Sequence, residues 1–126
     1  MLLILFLGCK SQNTGSVSKD KLYSIIAKKL GDANEQSKNF NGTYVLAFAE
    51  ENNGGTAIIR YGVWVINSGE LIYAGTAIRG NVKWLDNTSL IVEDYPGIVE
   101  EGRQNYKFKV DLNTKVKTPV YDNENR

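Results

Sequence analysis

The sequence has no histidine, one cysteine, two prolines and one methionine. Without histidine the chain cannot build a Ser-His-Asp or Cys-His catalytic machine, nor a metal site that relies on imidazole nitrogen. A single cysteine allows no internal disulfide, so packing alone must hold the fold. An excess of one charge is lacking too. Fifteen Lys and Arg face fourteen Asp and Glu, a net of +1, and that balance supplies no strongly basic face for a nucleic acid. Crossing a bilayer as a helix takes about twenty apolar residues; the run from Leu2 to Leu7 is far shorter. What the 126 residues do contain is ordinary globular material, 42% hydrophobic and 23% charged, enough for one domain with one modest core.

The apolar run ends in Gly8 and Cys9, and the polar stretch KSQNTGSVS that follows has the composition of a flexible tether. A short apolar region closed by small residues matches the tail of a secretory signal. Leu5-Phe6-Leu7-Gly8-Cys9 resembles the lipobox of bacterial lipoproteins. Gly8 suits the position before the cysteine, while Phe6 and Leu7 are bulkier than the family pattern. No basic residue precedes the run, which reads as Met1 lying inside a longer signal. The resemblance implies that a diacylglyceryl group joins the Cys9 sulfur, that residues 1–8 are removed, and that the new amino terminus is acylated with a chain such as palmitate. With Lys10 rather than an aspartate after the cysteine, it implies the outer membrane, on its periplasmic or its outer face. The partner so implied is a membrane, held through the lipid anchor. From Lys10 to Phe40, six lysines against three acids would add a weak attraction to anionic headgroups.

This reading divides the chain into a partial signal peptide (1–8), a polar tether (9–17), a single α+β domain (18–120) and a disordered tail (121–126). The domain opens with one helix. Ser18 is the cap, Asp20 lies in the first turn, Lys28 and Lys29 in the last, and Gly31 is the stop. Leu22, Ile25, Ile26 and Leu30 form its apolar stripe. DANEQSKNFNG reads as a polar connection. Six or seven antiparallel strands follow, from TYVLAFAE to KVKTPV, divided by the turns ENNGG, Asn67-Ser68-Gly69, Asp86-Asn87-Thr88, Pro96-Gly97 and Asn113-Thr114. Gly62 is read as a bend or bulge, and Pro119 as the mark of an edge strand. The predicted architecture is an amino-terminal amphipathic helix covering an antiparallel β-meander, as a curved sheet or small sandwich. One stretch, Tyr61 to Val92, resembles a propeller blade, but no second copy exists to stack on it.

Chemistry is sparse. The carboxylate pairs Glu50-Glu51, Glu93-Asp94 and Glu100-Glu101 either alternate across a strand or fall in turns, where charge serves solubility. None has the spacing of a calcium loop. Gly54-Gly55 is followed by a strand rather than the helix that a phosphate-cradling loop requires. Neither a cofactor nor a metal is expected, and no residue is assigned a catalytic role. Aromatic residues are the richer signal. Trp64 shares a pleat face with Ile58 and Ile66, Tyr61 the opposite one with Val63 and Val65, so the sheet has either two cores or a recognition face. The candidate binding patch is Trp84 and Tyr95 with Ile98, Val99, Glu100 and Glu101 of the loop YPGIVEEGRQNY. The first function class is a non-catalytic, lipid-anchored envelope protein with a binding or structural role. The second is an inhibitor or immunity-type protein whose acidic loop 95–106 plugs the basic cleft of a protein partner. A hydrolase is the third and weakest.

Overall fold

The computed structural model describes residues 17–95 and 106–120. Helix α1 (Lys19–Leu30) forms where the capping signals place it: the Ser18 hydroxyl accepts the Lys21 N–H at 3.0 Å, and the Gly31 N–H closes the last turn on the Ala27 carbonyl. Gly31 sits at φ 93°, in the left-handed region that ends helices cheaply only with glycine.

Eight strands follow: β1 (Glu35–Lys38), β2 (Tyr44–Asn53), β3 (Thr56–Val65), β4 (Leu71–Ile78), β5 (Asn81–Asp86), β6 (Ser89–Glu93), β7 (Lys107–Asp111) and β8 (Val116–Pro119). They make two four-stranded antiparallel sheets, ordered β1-β2-β3-β4 and β5-β6-β7-β8. Helix plus antiparallel strands is as the sequence predicts; a single meander of six or seven strands is not. Two things differ. The polar connection contains β1, which pairs Glu35 to Lys38 with Phe48 to Val45 although all four of its residues are exposed. The meander also breaks after β4, at Arg79-Gly80.

The break has its cause further along the chain. The Ile78 N–H donates to Asp94 Oδ1 at 2.9 Å and its carbonyl accepts the Tyr95 N–H at 2.8 Å, so the outward side of β4 is closed at Ile78. Arg79 takes φ 51°, and a Cβ at Gly80 would stand 1.8 Å from the Glu93 carbonyl oxygen. Only glycine lets the two backbones pass so closely. The chain turns out of the first sheet there and begins the second.

The two sheets face each other across one core, Leu46, Ile59, Tyr61, Val63 and Ala77 from the first meeting Val82, Leu90, Val92, Val110 and Leu112 from the second. On the other face of the first sheet, Ile26 and Leu30 of α1 pack on Val45, Ala47 and Trp64. The layers are therefore helix, sheet, sheet. Alternation along β2 and β3 sends odd residues of one strand and even residues of the other toward the helix, which is why aromatics occupy both faces: the first sheet has two cores. Gly62 is neither bend nor bulge. It pairs in register with Ala47 and Ala74 and leaves room for the Trp64 indole, which a Cβ there would meet at 2.8 Å. The irregularity falls one residue later, between Val63 and Trp64, where Ile72 is the extra residue on β4.

Candidate functional site

Among the residues of the predicted patch, Trp84 and Tyr95 are described; Ile98, Val99, Glu100 and Glu101 lie outside the described residues, as does Cys9. Trp84 is half-buried against the core between the sheets, and its indole N–H donates to the Ser37 carbonyl of β1 at 2.9 Å. Tyr95 is half-buried at the opposite end of the β5–β6 pair. Trp84 pairs with Leu90, near the start of β6, whereas Tyr95 lies two residues beyond Glu93. The two rings do not come together.

Tyr95 has its own company. Its ring lies 5.1 Å from that of Tyr106, its hydroxyl donates to Glu93 Oε1 at 3.3 Å, and the neighbouring Asp94 N–H reaches the Tyr106 carbonyl at 2.9 Å. Desolvation, then the Glu93 carboxylate, raises the Tyr95 phenol above its ordinary pKa. The two ends of the segment 96–105 are thus fastened to each other at its base. Glu93 and Asp94, adjacent in sequence, part company: Glu93 turns to Tyr95 and Asn81, Asp94 to the Ile78 N–H and, at 3.7 Å, to the Lys117 ammonium. Glu51 instead pairs with Arg60 across the first sheet at 3.5 Å. No group of three Asp, Glu, Cys or His side chains that would suit a metal ion occurs among the described residues.

Sequence reasoning missed the second junction between the sheets. Asn39, buried in the β1–β2 turn, donates to Thr43 Oγ1 and the Asn87 carbonyl and accepts the N–H groups of Thr43 and Tyr44. Asn87 returns a bond by accepting the Asn41 N–H at 2.8 Å. Between these two clamped asparagines Phe40 is held out, 74% exposed, with exposed Leu85 on the strand leading to Asn87. The signal was the run Asn39-Phe40-Asn41-Gly42, whose turn residues are legible although their partner is not. Grooves line the helix side. One of about 500 Å3 lies between the start of α1 and β1–β2, walled by Val17, Leu22, Tyr23, Lys38, Val45 and Ile66. A smaller one, about 240 Å3, runs beside β4 between Lys29, Leu30, Arg60, Ala74 and Thr76.

Compared with family models, with curated proteins and with solved structures, the chain finds no match. Its function has to be read from its own residues.

Proposed function

We propose that this is a lipid-anchored protein of the bacterial cell envelope, held at the outer membrane through Cys9, with a non-catalytic binding or structural role. The observation that carries the reading is the order of features at the amino terminus: apolar run, Gly8, Cys9, polar segment, then the first helix. Each methylene of an acyl chain contributes about 0.8 kcal/mol on burial in a membrane, so two or more chains hold a small domain at the surface. The described fold suits such a role. Its inward-turned polar groups, Asn39, Asp94 and the Trp84 indole, are spent on joining one sheet to the other.

A second reading, inhibition of a partner enzyme through the loop 95–106, draws on the fastened base of that loop at Tyr95 and Tyr106. It predicts one tight soluble partner, lost on replacing Glu100 and Glu101 with alanine.

Metabolic labelling with a fatty acid, on the natural chain expressed with its upstream codons and on Cys9→Ser, tests the anchor. Label on the natural chain alone is the expected result. Label on both, or on neither, overturns the anchor.

A further inference from the structure

Two four-stranded sheets present four edge strands, and three of them are guarded against pairing with another chain. β1 carries Glu35 and Lys38; β5 carries Lys83 and Asp86 with a register shift before its end; β8 carries Lys117 and stops at Pro119. Charge, irregularity and proline are the usual devices that blunt an edge. β4 differs. Its eight residues, LIYAGTAI, hold no charge and no proline.

The hydrogen-bond pattern shows which of its backbone groups are free. Arg79 bonds back to Ala57 of the first sheet, while both the N–H and the carbonyl of Ile78 point away to Asp94 and Tyr95. In an antiparallel ladder the direction alternates, so Ala77, Gly75 and Tyr73 face β3 whereas Thr76 and Ala74 face outward. Nothing bonds to the outward groups of Ala74 and Thr76 among the described residues, and both residues are exposed. Ile78 is closed at one end of this window and the extra residue Ile72 interrupts the other. What remains open among the described residues is a stretch from Tyr73 to Ala77.

The surroundings describe what fits there. On the helix side, small Ala74 and Thr76 leave a groove lined by Lys29 and Arg60; Arg60 also pairs with Glu51 at 3.5 Å and donates to the Lys29 carbonyl, so the groove wall carries the Lys29 charge beyond that pair. On the other side, the Tyr73 ring stacks on Tyr61 at 6.2 Å and presents an apolar platform. A second copy of β4 does not fit along its length. Paired antiparallel about Gly75, its Ile72 would fall opposite Ile78, where Asp94 and Tyr95 already stand.

We propose that β4 is a docking edge for a short extended peptide of another protein, one that adds itself to the first sheet with acidic side chains toward Lys29 and Arg60 and apolar ones toward Tyr73. Main-chain bonds to Ala74 and Thr76 supply the pairing, and the two flanks supply the preference. The proposal gives the binding role suggested above a class of partner, yet it rests on β4 alone. Labelling at Cys9 and peptide binding at β4 fail independently.

The test uses the isotope-labelled chain and two capped pentapeptides, acetyl-Val-Glu-Val-Glu-Val-amide and the same peptide with lysine for glutamate. Expected are amide shift changes centred on residues 73–77 with the glutamate peptide, and exchange of the Ala74 and Thr76 amides slowed by about tenfold or more. The lysine peptide should bind more weakly, and Lys29→Glu should narrow or reverse the difference. Thr76→Pro removes an outward N–H without touching the ladder to β3, so it should abolish binding. If that variant unfolds by circular dichroism, Lys29→Glu carries the test alone. Shifts that map elsewhere, no shifts up to the solubility limit, or equal binding of both peptides by natural chain and Lys29→Glu overturn the proposal. So does a concentration-dependent dimer whose shifts centre on β4, which would make the occupant a second copy.

Discussion

Single residues decide how closely the backbones of this protein pass. Gly80 is the extreme case, because the missing side chain lets it lie against the Glu93 carbonyl. Gly80→Ala should therefore cost more than the typical 1–3 kcal/mol of an overpacked site, since a backbone atom rather than a mobile side chain must yield. Thermal unfolding followed by circular dichroism measures it; an unchanged melting temperature would mean the corner is not tight. Gly75 is milder. A Cβ there meets the Tyr61 hydroxyl at 2.6 Å, and that ring, lying across the glycine opposite, is itself buried. Tyr61 also ties stability to pH. Burial first, then the neighbouring Tyr73 phenol and the Asp94 carboxylate, hold its pKa well above the ordinary phenol value. A raised pKa means that the neutral form is favoured in the folded state. The contribution is fully present below about pH 10, where an unfolded tyrosine titrates, and is lost as the pH climbs beyond it. Tyrosinate absorbance and unfolding should rise together above that pH, and Tyr61→Phe should delay the unfolding to higher pH.

At the scale of elements, legibility followed local signals. Helix α1 could be placed because cap, dipole charges, apolar stripe and stop glycine all sit within its own fourteen residues. The hairpins were legible through their turns, and Pro119 does end an edge strand. β1 was not, because four exposed polar residues carry no alternation; its existence is owed to β2 and to the Trp84 indole on the Ser37 carbonyl. A strand held from outside is a poor subject for propensity. This gives a prediction. Trp84→Phe keeps the ring but loses the bond, so the amides of residues 35–38 should exchange faster while those of β2 and β3 stay protected, with a stability loss of about 1 kcal/mol. Uniformly faster exchange throughout the first sheet would contradict it. A small sandwich was one of the two forms expected, but the place where the chain leaves the first sheet was hidden for a related reason: Arg79-Gly80 looks like any two-residue hairpin turn, and what bends the chain away is Asp94, fourteen positions further along. Of the candidate patch, Trp84 was legible as an aromatic but not as a clasp, since its partner is a backbone carbonyl 47 residues away.

For the molecule as a whole, the two sheets are joined by more than their core. Asn39 with Asn87, Trp84 with Ser37, and Asp94 with Ile78 fasten them along their margins. Asn39→Ala would leave the Asn87 carbonyl and the Tyr44 N–H without their side-chain partner, while the Thr43 N–H keeps Asn41 Oδ1, at about 1–3 kcal/mol for each buried group so stranded. Denaturant unfolding should report that loss. Aspartate in its place should fare no better, because a carboxylate accepts but cannot donate to Asn87.

Every described strand pairs solely with its neighbour in sequence, and one link, at Arg79-Gly80, passes from sheet to sheet. The polypeptide is thus two consecutive halves written one after the other. Severed at that link and co-expressed, the pieces 1–79 and 80–126 are expected to find each other and reconstitute the parent, each insoluble without its counterpart because its inner face is greasy. Fusing the halves to separate baits would then turn this small β protein into a reporter of proximity.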